Sequence, residues 1–273
     1  MRAITYPLLA LVFVFLYSCE EVVHVDVPTA APRLVIDASL KWQKGTTGEN
    51  QLIKLTTTTG YYDSTIPTVS GAEVWVTNGA NDVFLFTETT PLSGEYRCSN
   101  FVPEINQSYQ LTVVLNGQTY TATEILHAVP TIDSIEQNNE GGFSGTDIEI
   151  KTFFYDPANV DNYYLFQYLS SGTVIPKYDV GNDEFTQGNI NFGFYSNDKI
   201  KSGDQLDITL SGISKRYFEY MNKLILISGG SNGPFSTPSA NVKGNIINTT
   251  QLDNYALGYF SVAETDFKHY DVQ

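Results

Sequence analysis

The sequence predicts a mainly β protein: a β-sandwich over about residues 32–128, then a second antiparallel β domain over 129–273 that carries one α-helix near 214–228. Three observations predict it. From Arg33 onward apolar and polar residues alternate with period two, the signature of half-buried strands. Gly- and Pro-containing turns separate these short runs at the spacing of a sandwich. One stretch alone changes to helical spacing, with Tyr217, Tyr220, Met221, Leu224 and Ile227 following Ser214, a natural N-cap.

The chain opens differently. Arg2 precedes residues 4–16, ITYPLLALVFVFL, a run too short for a membrane-spanning helix of about 20 residues but of the length of a secretory h-region. Residues 1–18 therefore read as a signal peptide. Leu16-Tyr17-Ser18-Cys19 does not give ordinary signal peptidase small residues at both −1 and −3 and resembles the bacterial lipobox, in which the cysteine is acylated. The alternative is an ordinary signal peptide with an incidental cysteine. Acylation would anchor the chain, since each buried CH₂ contributes about 0.8 kcal/mol. Palmitate-type chains on Cys19 and a lipidated tether over 19–31 are the expectation. Glu20 and Glu21 resemble the signal that sends Bacteroidota lipoproteins to the outer cell surface, which implies an outer-membrane, lipid-anchored, surface-exposed protein.

In the first domain, Leu34/Ile36/Ala38/Leu40 is the first strand. Ile53/Leu55, Ala72/Val74/Val76, Val83–Phe86 and Tyr96/Cys98 continue the series. Tyr109, Leu111, Val113 and Leu115 run into Asn116-Gly117, the type I′ turn signal. Pairing 115 with 118 sets Val113 opposite Tyr120 and Leu111 opposite Ala122 on one face. Pro130 marks a boundary. Beyond it, Ile148–Tyr155, Tyr163–Leu169, Asn189–Tyr195, Gln205–Leu210 and Tyr255–Ala263 read as strands richer in aromatics. Gly229–Gly233 ends the helix as a breaker-rich loop.

Composition narrows the chemistry. The formal charge is −15, and loss of residues 1–18 removes one Arg and no acid, giving −16. Such a polyanion does not neutralise phosphates, so nucleic acid is excluded as a partner. Cys98 is the only cysteine besides Cys19 and reads as a buried thiol on the face of Tyr96. His24, His127 and His269 lack ligand spacing, and neither a cofactor nor a His-based metal site is expected. Asp156, Asn159 and Asp161 gather oxygens in a loop, as calcium requires, without the glycine and glutamate of an EF-hand; turn capping is the favoured alternative. Of 30 acids no pair is marked as a glycosidase dyad. Trp42, Tyr61, Tyr62, Trp75, Tyr163 and Tyr164 are the candidate ligand or partner contacts, Trp75 because it faces outward if Val74 and Val76 face inward.

Several motifs occur in order along nearly the whole mature chain: Cys19-Glu-Glu, Leu34-Val-Ile-Asp37, Ala72-x-Val74-x-Val76, Gly94-x-Tyr96, Tyr109-x-Leu111-x-Val113, Asp156-Pro157, Asn162-Tyr163-Tyr164, Asn241-Val-Lys-Gly-Asn-Ile246 and Gly258-Tyr-Phe260. Together they resemble an uncharacterised Bacteroidota lipoprotein family, known only as a domain of unknown function and commonly encoded beside TonB-dependent receptors. The N-terminal part resembles the Ig/transthyretin-like β-sandwich of carboxypeptidase regulatory domains. The resemblance implies no catalytic residue. It implies a non-catalytic ligand-capture or lid subunit of a TonB-dependent outer-membrane receptor. A structural or adhesive surface protein is the alternative, and a glycan hydrolase stands third.

Overall fold

The computed structural model describes residues 31–60, 63–142, 144–228 and 242–273, and within it Pro32–Gln273 cluster as one compact unit. The signal peptide, Cys19, Glu20, Glu21, Tyr61, Tyr62 and the Gly229–Gly233 loop lie outside the described residues.

The first half of the unit contains seven strands: β1 (Leu34–Gln43), β2 (Gln51–Thr57), β3 (Glu73–Asn78), β4 (Val83–Glu88), β5 (Glu95–Cys98), β6 (Ser108–Leu115) and β7 (Gln118–Ile125). β1, β2 and β5 form one layer and β3, β6 and β7 the other; β4 pairs with both β3 and β5 and carries the sheet around the corner. The inward positions of each strand meet in one core that includes Ile36, Leu40, Ile53, Leu55, Val76, Tyr96, Tyr109 and Val113, all almost fully buried. Burying such side chains is worth roughly 1.5–3 kcal/mol each, which fixes strand register. The β6–β7 hairpin has the expected pairing, Leu115 with Gln118 and Val113 with Tyr120. Asn116 and Gly117 both take positive φ, as a type I′ turn demands.

The second half contains β8 (Ile132–Gly141), β9 (Asp147–Tyr155), β10 (Tyr163–Ser170), β11 (Lys177–Asn182), β12 (Ile190–Ser196), β13 (Gln205–Ile213), α1 (Lys215–Ser228), β14 (Ile247–Asn248) and β15 (Leu257–Asp271). β12, β9 and β8 make a three-stranded antiparallel sheet. Its inner face packs Ile150 and Phe154 against Tyr164, Phe166 and Tyr168 of β10 and Leu206, Ile208 and Leu210 of β13.

β15 joins the two halves. Its first nine residues run parallel to β1, from Val35 opposite Leu257 to Gln43 opposite Thr265, and its last seven run antiparallel to β13. Phe260 and Val262 complete the first core, although they come from the end of the chain. This parallel pair departs from the antiparallel expectation. Gly258 makes it possible: at φ 95° a Cβ there would lie 2.0 Å from the Ile36 carbonyl oxygen, so only glycine lets the strands close.

Acidic side chains of β15 also hold the connection between β7 and β8. Glu264 Oε2 accepts from the Val129 N–H (2.9 Å) and pairs with Lys44 (3.0 Å), and Asp266 Oδ2 accepts from the Ile132 N–H (2.7 Å). Polar backbone groups beside Pro130 are thereby satisfied inside the protein.

Candidate functional site

On the face of the β10–β13–β15–β1 layer opposite the two large cores lies α1. Ser214 caps it as expected, its Oγ accepting from the Tyr217 N–H (3.2 Å). Tyr217, Met221 and the half-buried Tyr220 and Leu224 pack on Leu165, Ile213, Tyr259 and Ala263, forming a third core. Ile227, placed on the same face by its spacing, is 38% exposed at the end of the helix.

α1 covers only part of this face. Beside it a groove of about 570 Å³ opens between the helix and the outward side of β1 and β2. The helix and β10–β11 supply an apolar and aromatic wall from Tyr217, Tyr220, Met221, Leu224, Leu165 and Tyr178. β1 supplies a polar wall: Asp37, Ser39 and Lys41 alternate outward because Ile36, Ala38 and Leu40 are drawn into the core. Gly258 and Tyr259 of β15 line it as well.

The groove exists because β1 and β2 part company. They pair only from Leu34/Thr57 to Asp37/Lys54. Beyond that, the buried Gln51 side chain stands in for the missing ladder: Oε1 accepts from the Lys41 N–H (3.0 Å) and Nε2 donates to the Lys41 carbonyl (2.9 Å). Asn50, Gln51, Leu52 and Lys54 then line the far rim.

The electrostatics centre on β1. Ser39 Oγ donates to Asp37 (3.1 Å), and Lys41 Nζ donates to Gln167 Oε1 (2.9 Å). Desolvation by surrounding protein lowers the Lys41 pKa, an effect that Asp37 opposes. Burial raises the pKa of Tyr178 and Tyr220, with the Asp37 charge adding to it. Tyr217 is pushed up to about 12 by burial, against hydrogen bonds with Ser261 and Ser39. At neutral pH these phenols are therefore neutral hydrogen-bonding groups. Lys54 pairs with Glu95 (2.9 Å) at the rim.

Beneath the groove one buried carboxylate ties three elements together. Glu124 Oε2, from β7, accepts from Tyr259 Oη (2.9 Å) and from the cap residue Ser214 (3.0 Å). Burial raises the Glu124 pKa, and the two hydroxyl bonds oppose that shift. Tyr259 in turn packs in tilted contact against Tyr217 and Tyr220, with ring centroids 4.6 and 4.7 Å apart.

A family model described as domain of unknown function (DUF4249) matches residues 20–268. The chain belongs to that family. No curated protein matches this DUF4249 member. Among solved structures it is similar to a DUF4785 family protein from Legionella pneumophila, at 11% identity and TM-score 0.27, over 66% of this chain and 52% of that one. It therefore spans about half the length of the Legionella protein. It is also similar to a two-domain fibronectin type-III segment of chicken tenascin, at 9% identity and TM-score 0.22, over 66% and 90% of the chains. The FN1–FN3 domains of chicken CNTN1 give 14% identity and TM-score 0.23 over 67% and 60%.

The residues singled out in the sequence fall in different places. Trp75 is half-buried on the outer face of the sandwich, opposite Leu85, with Val74 and Val76 inward as expected. Trp42 is half-buried against the first core and its indole donates to the Thr46 carbonyl (2.9 Å). Tyr163 packs beside Phe218 (5.3 Å). Tyr164 is not a contact residue: it is 1% exposed and donates to Asp156. Period two explains this, since adjacent strand residues take opposite faces and Tyr164 faces the second core.

The Asp156–Asp161 loop also departs from the calcium reading. Asp156 turns inward, buried, with its second oxygen accepting from the Gly188 N–H (3.1 Å). Burial raises its pKa, against the bonds from Tyr164 and Gly188. Asn159 takes positive φ as a turn residue, and Asp161 accepts from Gln187 (3.2 Å). Among the described residues no group of three or more His, Cys, Asp or Glu side chains is placed to hold a metal.

Sequence reasoning missed Asp37, Lys41, Tyr178 and Tyr259. Asp37-x-Ser39-x-Lys41 was visible as the polar half of the first strand's alternation. What it faced depended on the helix, almost 180 residues away in sequence.

Proposed function

We propose that this DUF4249 member is a lipid-anchored outer-membrane protein that captures a ligand in the groove beside α1 and presents it to a TonB-dependent receptor, without catalysing a reaction. The observation that carries this reading is the groove itself: a concave site of ligand-binding size whose aromatic wall faces a row of polar side chains on a rigid strand. A surface built on packed strands holds its contacts in place before the ligand arrives, which lowers the entropic cost of binding. The lipobox-like Leu16-Tyr17-Ser18-Cys19 supplies the anchor, and Glu20-Glu21 the export signal.

The test is affinity purification of the tagged full-length chain from detergent-solubilised outer membranes of its host, read by mass spectrometry. A stoichiometric TonB-dependent barrel is the expected companion. Recovery of the chain alone, under detergents that preserve known barrel complexes, refutes the accessory role.

An adhesive role is the second reading. It draws on apolar side chains at exposed loops, Val174 at 96%, Ile175 at 80% and Phe185 at 90% exposure. It predicts attachment defects on deletion with uptake unchanged.

A further inference from the structure

Building on the proposed capture role, we infer that the groove takes a neutral polyhydroxylated ligand, an oligosaccharide, with sugar rings against Tyr178 and Tyr220 and their hydroxyls on Asp37, Ser39 and Lys41.

The charges decide against ligands of a single sign and against wholly apolar ones. Asp37 and Lys41 lie four residues apart on one outward face of β1, a span of roughly 13 Å at strand rise. An anion filling the groove meets Asp37, and a cation meets Lys41, whereas Lys54 at the rim is already paired with Glu95. Either ligand leaves a charge of its own sign desolvated against it. A wholly apolar ligand strips water from Asp37 and Lys41 with nothing in return. A neutral ligand rich in hydroxyls avoids each cost, because every hydroxyl both donates and accepts.

The polar wall matches such a ligand in sequence along the strand. Asp37 is a pure acceptor, Ser39 spends its one O–H on Asp37 and keeps accepting capacity, and Lys41 is a pure donor. Neither Asp37 nor Lys41 is saturated by its internal bond. A carboxylate has about four lone-pair sites, of which Ser39 takes one at Asp37, and an ammonium has three N–H groups, of which Gln167 takes one at Lys41. Opposite them, Tyr178 and Tyr220 are half-buried and offer ring surface. Tyr217 and Tyr259 are buried behind and hold Tyr220 by ring contact. A sugar ring carries aliphatic C–H groups on its faces and hydroxyls around its rim, so it fits between an aromatic wall and a row of hydrogen-bonding groups.

Isothermal titration calorimetry on the full mature chain tests this, in a polyoxyethylene detergent so that no sugar headgroup competes. The probes are maltohexaose, xylohexaose and mannohexaose, with tetragalacturonate, spermidine and trialanine as charged and zwitterionic comparisons. At least one neutral hexaose is expected to bind. Asp37→Ala and Tyr220→Ala should each weaken it roughly tenfold or more, the scale of one lost charge-assisted hydrogen bond or aromatic contact, with Trp75→Ala unchanged. Melting curves of each variant establish that it is folded. Binding of only a charged or zwitterionic probe, lost in the same two variants, overturns the ligand class while leaving the groove as a site. Silence from all three neutral hexaoses overturns the inference as well. Hexaose binding that Trp75→Ala abolishes and the groove variants leave intact places the site elsewhere and overturns it too. Recovery of the barrel in the purification above reads the capture role separately.

Discussion

Glu124 offers the sharpest test of how the groove is held. Its buried carboxylate accepts from Tyr259 in the groove lining and from Ser214 at the start of α1, both through Oε2. Glu124→Ala removes that acceptor. Ser214 keeps its bond from the Tyr217 N–H, and the buried Tyr259 hydroxyl loses its carboxylate acceptor and keeps only Ser214 beside it. Loss of the acceptor of a buried hydroxyl costs up to about 3 kcal/mol, or up to roughly 12 °C of melting temperature for a unit of this size. Glu124→Gln behaves differently, because one amide oxygen can accept both hydroxyl bonds and no charge is buried.

The pH dependence separates the variants further. The native pKa of Glu124 is raised, so between the ordinary glutamate value and the native value the folded chain binds more protons than the unfolded one. Stability contributed by this group is present below that window and is lost as pH rises through the native pKa. Thermal melts followed by circular dichroism from pH 4 to 8 should show that slope in the wild type and its reduction in Glu124→Gln. A Glu124→Gln chain as unstable as Glu124→Ala, or one with the wild-type slope, refutes the shared-acceptor account.

Two glycine substitutions should differ sharply although both glycines have positive φ. Gly258→Ala drives a Cβ into the Ile36 carbonyl and should cost at least about 2 kcal/mol, whereas Gly117→Ala, with open space around it, should cost only about 1 kcal/mol by denaturant titration. Equal costs would contradict the close β1–β15 approach. The two described histidines should titrate on opposite sides of the ordinary value by NMR: His269 above it, from its bond and proximity to Asp207, and His127 below it, from burial. Asp207→Asn should return His269 toward the ordinary value. Protonated His269 stabilises the fold below the ordinary pKa and loses that contribution as pH rises through its raised value. His127 acts in the opposite sense, penalising the fold as pH falls through the ordinary value.

Local features were legible where one pattern dominated. The 109–122 hairpin follows from alternation plus Asn-Gly, and the start of α1 from Ser214 before a helical stripe. Tyr96 and Cys98 alternate as half-buried strands do. β15 was cut short at Ala263 because Tyr259–Asp266 are buried on both faces, which erases alternation, and because Glu264 and Asp266 look like surface residues until their backbone partners near Pro130 are known. β11 was missed because its residues 178–182 are uniformly half-buried. The parallel β1–β15 pair brings together residues more than 200 positions apart, so no local signal announces it. The aromatic candidates were chosen by residue type. Whether a tyrosine lines a groove or fills a core depends on strand parity and on the partner layer, and so Tyr164 and Tyr178 changed places.

The most direct test of the groove as the working face is site-specific photocrosslinking in the living host. Tyr178→p-benzoylphenylalanine places the probe in the groove, and Trp75→p-benzoylphenylalanine places it on the outer face of the sandwich. Adducts concentrated at 178 are the predicted result. Adducts at 75 with none at 178 would contradict it and move the functional surface to the sandwich.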